Sequence, residues 1–197
     1  LIYGHVDYNG ISISYPLVVW TTAIGAICSI DLGLSEGRPV AVWSWGNDYY
    51  SSIEFGSAID GGRGWDVLTV VNDKGTSGNV SLSSTGDICF IMWEHALDKT
   101  VRGVTVRSDG VLLEDPWTVS NVINKGFGPA SCSIADRIDS VWIENDSYNT
   151  ELYYLQDSTF EHPSLVRLRA WIGSLEADNF VGGNESKAEL ILSLIHI

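Results

Sequence analysis

The sequence predicts an all-β chain built from four-stranded antiparallel units of about fifty residues, a fragment of a β-propeller, and three observations predict it. A Trp closes a short apolar run three times, at Pro39 to Trp43, Ile88 to Trp93 and Ile138 to Trp142, with spacings of 50 and 49 residues. Lys74-Gly75 returns as Lys125-Gly126 and Gly78 as Gly128, 51 and 50 residues on, each between successive units. A mix of Trp, Tyr, Val and Ile with 20 Gly favours strands over helices, and 45% apolar content lets 197 residues bury a sizeable core.

Taken in order, residues 1–25 read as the outer strands of a preceding blade. Leu17 to Ile30, the most apolar stretch, is too short to cross a bilayer and is interrupted by Thr21, Thr22, Gly25 and Ser29. Residues 26–173 read as about three blades, each with strands a, b, c and d, for example 78–84, 86–93, 100–107 and 111–120. Near-continuous apolar character in strands b fits burial on both faces, while Val104 to Arg107 and Trp117 to Ser120 alternate as half-exposed outer strands do. The last recognisable blade covers 136–172, with a strand expected over 165–172. Residues 174–197 read as a further strand or the start of another β domain, and Leu192 to Ile197 as either an apolar strand or a translated sequencing-adaptor artefact. A closed ring takes roughly four to eight blades, so neighbouring sequence is expected to cover the open blade faces, and Leu1 is expected to lie inside a longer protein.

Eleven basic against twenty-five acidic residues give a net charge of −14, which repels phosphate backbones and anionic lipid. The expected partners are a glycan or a protein, with no nucleic acid and no membrane insertion. Three cysteines have no metal-ligand spacing. Cys28-Ser29-Ile30 and Cys132-Ser133-Ile134 read as equivalent positions two blades apart, and the cysteines as small core residues; a Cys89 to Cys132 bridge between neighbouring blades is the one pairing left open.

At the turn after strand c of the first full blade stands Ala58-Ile59-Asp60-Gly61-Gly62-Arg63-Gly64-Trp65. It matches the pattern S-x-D-x-G-x-x-W except at its first position, with Ser57 one residue early. Asp60 can accept bonds from turn N–H groups, Gly62 allows positive φ, and Trp65 is expected to pack under the hairpin. Ser108-Asp109-Gly110 before Trp117 is a degenerate second copy, and Gln156-Asp157-Ser158 in the last blade has no Trp at that offset. On these residues the chain, over roughly 26–160, resembles the Asp-box (BNR-type) β-propellers of the sialidase-like superfamily. The resemblance implies a glycan-active or extracellular setting, hence a secreted or cell-surface protein, and gives the Asp box itself a structural role.

In such propellers the b-to-c and d-to-a connections share the rim where ligands bind. Rim residues that differ between blades are the ligand-binding candidates: Trp45, Tyr49, Tyr50, Glu94, His95, Arg102, Glu144 and Tyr148, suited to stacking on a sugar face or bonding its hydroxyls. Recurring Asp48, Asp98 and Asp146 read as turn residues. His95 beside Glu94 and Asp98 has the composition of a metal or acid/base site, although a lone His in an acidic loop is usually just solvated. The resemblance implies, for a sialidase, three arginines clamping a carboxylate, a Tyr nucleophile with a Glu partner, and an acidic Asp. Arg38 and Arg137 fall near a-to-b turns, Arg63 and Arg107 near c-to-d turns, and Arg167 and Arg169 in the fading segment, leaving Arg102 at the rim. No catalytic residue, cofactor or metal is assigned. The sequence therefore points to a non-catalytic binding propeller, or alternatively to a fragment of a sialidase-type glycoside hydrolase whose catalytic residues lie partly outside this chain.

Overall fold

The computed structural model describes residues 2–3, 17–18, 26–46, 51–59, 64–73, 78–134, 137–145, 150–157 and 164–166. Strands β1 (Ile2–Tyr3) and β2 (Leu17–Val18) form a short antiparallel pair. Three four-stranded antiparallel sheets follow, each a meander in which every strand pairs with its neighbour in sequence. The first contains β3 (Ala26–Ser35), β4 (Arg38–Gly46), β5 (Ser51–Ile59) and β6 (Gly64–Asp73). The second contains β7 (Val80–Thr85), β8 (Ile88–His95), β9 (Thr100–Arg107) and β10 (Trp117–Thr118). The third contains β11 (Lys125–Ile134), β12 (Arg137–Asn145), β13 (Thr150–Asp157) and β14 (Ser164–Val166). Strand β7 packs against β3 on one side and β11 on the other, so the first strands of the three sheets lie side by side. That is the blade arrangement of a β-propeller, and the described residues contain no helix.

The continuous apolar run of strand b has a direct cause. Successive side chains of β8 point to opposite faces, and each face is a seam with a different blade. Cys89, Ile91 and Trp93 enter the seam with the first blade, beside Val40, Val42, Ile53 and Phe55. Phe90 and Met92 enter the other seam, beside Ile138, Trp142, Tyr153 and Leu155. The blade Trp thus faces the preceding blade, and in the third blade Trp142 stacks on Tyr153 with ring centroids 5.7 Å apart.

The seams are polar where the inner strands meet. Ser29 Oγ accepts the Val80 N–H at 3.2 Å, Asp31 Oδ2 accepts the Leu82 N–H at 2.8 Å, and Ser81 Oγ accepts the Ser131 N–H at 2.9 Å. These side chains satisfy backbone donors on the free edge of each sheet, which would otherwise be left open.

Three expectations are corrected. The fourth strand of the second blade, expected over 111–120, is reduced to Trp117–Thr118. Pro116 lacks an N–H, and Glu114 Oε1 accepts both the Thr105 hydroxyl at 2.6 Å and Trp117 Nε1 at 3.1 Å, drawing the segment into a side-chain-bonded turn. Cys28 and Cys132 are not structurally equivalent: Cys28 lies in the β3 irregularity between Ile27 and Ser29, whereas the matching irregularity of β11 falls between Phe127 and Ala130, and Cys132 pairs with Asp139 further along. Nor are all the cysteines core residues. Cys89 alone is buried, Cys132 is half-buried and Cys28 is exposed, and all three are free thiols. Burial, set against a Ser35 bond that lowers it and a nearby Asp87 that raises it, pushes the Cys89 thiol up to about 11.

Candidate functional site

The b-to-c and d-to-a connections meet at one end of the blades. Gly126 N–H donates to Lys99 O at 2.6 Å and Ser120 Oγ accepts the Val101 N–H at 2.9 Å, which binds the connection before β11 to the hairpin of β8 and β9. Between the first two blades, Ser44 Oγ donates to Gly78 O at 2.8 Å, and within the second Glu94 N–H donates to Asn79 O at 2.9 Å. A Cβ on Gly78 would fall onto the Glu94 carbonyl, so only glycine permits this approach.

Three of the sequence candidates occupy one structural position. Trp45, His95 and Glu144 each stand two residues beyond the blade Trp, on the same face of strand b. Each is spent differently. Trp45 Nε1 donates to Glu54 Oε1 at 3.2 Å, and buried Glu54 also accepts from Ser52 Oγ at 2.5 Å and Thr69 Oγ1 at 2.9 Å. Glu144, only 2% exposed, accepts the Asn121 N–H at 2.8 Å and Trp142 Nε1 at 2.9 Å on one oxygen, and Asn124 Nδ2 at 3.0 Å on the other. It clasps the connection from β10 to β11 from below.

His95, 3% exposed, meets Asp98 through Nδ1 at 2.5 Å. Asp98 also accepts from Thr100 Oγ1 at 2.7 Å and from Arg102 Nη2 at 2.7 Å. The structure therefore brings His95 and Arg102 together on one carboxylate, while Glu94 joins a different neighbour, Asn79, at 3.4 Å. Partial burial raises the Asp98 pKa, but the bonds from Thr100, Arg102 and His95 outweigh it and hold the carboxyl down at about 2. With Asp98 ionised, Nδ1 carries the proton and donates. A depressed carboxyl contributes stability above its unfolded pKa that is lost as pH falls towards the folded value. The Tm of the protein is accordingly expected to exceed that of Asp98→Asn at pH 6, with the gap closing between about pH 4 and pH 2. A gap that stays constant over that range in thermal melts would show the ion pair to be idle.

Beside exposed Asp98, Lys99, Asn121 and Lys125, the rim presents three large aliphatic side chains outwards. Leu97 is 71% exposed, Val122 73% and Ile123 87%, on the two connections that the Gly126 to Lys99 bond joins. The Asn121 side chain accepts the Ile123 N–H at 3.0 Å, which fixes that turn. These residues, with Asn121, Asn124 and Glu54, were not singled out in the sequence. The spacing Asn121-x-x-Asn124 ahead of Lys125-Gly126 was the available signal for the clasp.

Tyr49, Tyr50, Tyr148, Asp60 and Gly62 lie outside the described residues. Trp65, in register with Ala58, lies over Gly56 beside Trp43: a Cβ on Gly56 would stand 3.0 Å from both rings. The described residues contain no cluster of three or more metal-binding side chains. No helix among them is long and apolar enough to cross a membrane.

No family model matches the sequence, and no curated protein does. Among solved structures, a GH43 endo-arabinanase from Bacillus licheniformis is similar over 66% of this chain and 51% of its own, at 13% identity and a TM-score of 0.44. An endo-arabinase from Bacteroides thetaiotaomicron is similar over 74% of this chain and 61% of its own, also at 13% identity and a TM-score of 0.44. The chain thus spans between half and two thirds of the length of these two proteins.

Proposed function

We propose that this chain is part of a non-catalytic β-propeller of the Asp-box, sialidase-like type in a secreted or surface protein, and that its b-to-c and d-to-a rim binds a glycan or protein ligand. One observation carries the reading. The ionisable rim candidates are engaged in bracing the loops, Arg102 on Asp98 and Glu144 on Asn121, Asn124 and Trp142, while the exposed tips are Leu97, Val122 and Ile123. Rigid loops carrying exposed aliphatic side chains suit binding, because little order has to be imposed when a ligand arrives. Half-buried Trp45, Glu94 and Arg102 supply polar contacts beside them. Tyr49, Tyr50 and Tyr148 belong to the same rim in the sequence.

The test is capture on a panel of immobilised neutral and sialylated glycans, by wild type and by the triple variant Leu97→Ser, Val122→Ser, Ile123→Ser. The variant is expected to lose at least about tenfold in affinity at unchanged Tm, since single exposed side chains contribute little to folding. Capture that is unaltered in a folded variant rules out this surface. Release of free sugar from aryl sialosides or arabinosides by wild type would instead favour the hydrolase reading.

A further inference from the structure

The chain carries a net charge of −14, yet its rim holds two lysines on neighbouring connections. Lys99 O accepts the Gly126 N–H at 2.6 Å, which brings the backbones of Lys99 and Lys125 together. Both residues are exposed, and among the described residues neither forms an ion pair. The carboxylates nearest in the fold are engaged elsewhere: Asp98 by Arg102, His95 and Thr100, and buried Glu144 by Asn121, Asn124 and Trp142. Two like charges held close repel each other, and an incoming anion relieves that repulsion.

Lys99 is also held in a backbone conformation that its side chain opposes. Its φ is 57°, in the left-handed region that favours glycine, while its N–H donates to His95 O at 2.8 Å. Gly86, Gly110 and Gly128 fill other positive-φ positions of the same two blades. A lysine kept where glycine fits more easily points to a use for its charge.

The apolar part of the same surface is Leu97, on the turn that ends at Lys99, with Val122 and Ile123, in the connection that leads to Lys125. These side chains are branched and aliphatic; they lack the flat ring face that packs on a sugar and suit the apolar side chains of another protein. Both connections are ordered before a ligand arrives, because Asn121 Oδ1 accepts the Ile123 N–H at 3.0 Å and Glu144 accepts the Asn121 N–H at 2.8 Å.

We propose that the ligand of this rim is a protein segment with acidic residues beside large apolar ones. Its carboxylates meet Lys99 and Lys125, and its apolar side chains meet Leu97, Val122 and Ile123. The proposal rests on the rim reading above and narrows it to one class of ligand.

The test is fluorescence anisotropy with a fluorescein-labelled peptide of the sequence Glu-Leu-Glu-Ile-Leu-Glu, and with its Gln-for-Glu counterpart. Wild type is expected to bind the acidic peptide with a Kd of about 100 μM, and the neutral one about tenfold more weakly. Raising the salt from about 50 to 500 mM should weaken the acidic peptide several-fold. Lys99→Gly is expected to lose about threefold in affinity at equal or higher Tm, since glycine takes the left-handed conformation without strain. Lys99→Gly with Lys125→Gln should lose about tenfold. A purely structural Lys99 would move neither peptide affinity nor its salt dependence. The proposal is overturned by equal binding of the two peptides, by unchanged affinity in the folded double variant, or by no saturation up to about 1 mM. Should peptide binding be absent while glycan capture persists and is lost in the Leu97, Val122 and Ile123 triple variant, the rim reading stands and the ligand class is wrong. Should the triple variant keep all binding, the rim reading fails as well.

Discussion

Replacing Trp93 by alanine is expected to destabilise the protein by about 3–5 kcal/mol, the range for removing a fully buried large aromatic. The side chain has no solvent exposure and fills the seam where Val40, Val42, Ile53 and Phe55 of the first blade meet Ile91 and Val104 of the second. The hole cannot close easily, because its walls are β-sheets fixed by their own ladders. Both blades lose contacts, so the damage is shared across the seam. In urea titration the midpoint should fall with little change in slope, and in thermal melts the Tm should drop by about 10 °C or more. Half-buried Trp117 provides the contrast, and Trp117→Ala should cost markedly less. A Trp93→Ala loss below about 1 kcal/mol would mean that the two blades do not share a packed core.

Glu144→Ala is expected to cost about 2–4 kcal/mol, because hydrogen bonds to a charged group are the strong ones and the groups left behind stay buried. Three donors lose their acceptor together: Asn121 N–H, Asn124 Nδ2 and Trp142 Nε1. Glu144→Gln should lose roughly half as much, since one carbonyl oxygen can still accept from Asn121 and Trp142. Denaturant midpoints of the two variants give the comparison. If both variants keep full stability while glycan capture at the rim collapses, then Glu144 is a ligand group and its role as a brace is wrong.

The site shows how far residue identity alone reaches. Trp45, His95 and Glu144 stood out in the sequence because they differ between blades, and the structure places them at one repeated position. Their chemistry, however, depends on who faces them. His95 and Arg102, seven residues apart in sequence, are joined by Asp98, whose recurrence had marked it as a turn residue. Glu144 answers to Asn121 and Asn124, twenty-three and twenty positions away, in a connection marked in the sequence by the spacing of those two residues at the boundary with the next blade.

The repeat of Trp43, Trp93 and Trp142, and the two-sided apolar runs before them, determined the blades, because a strand buried on both faces needs apolar residues at every position. Strand alternation also fixed which side chains share a face. What only the tertiary structure decided was the content of the seams: which serine or aspartate on one inner strand caps which amide on the next, and which hydroxyls, Ser84 on Leu34 O and Ser35 on Gly86 O, close the far end. Those bonds join residues about fifty apart through side chains common in any polar loop. Periodicity records burial face by face, whereas a hydrogen bond depends on the distance and angle between two particular atoms, and these exist only once the blades have packed.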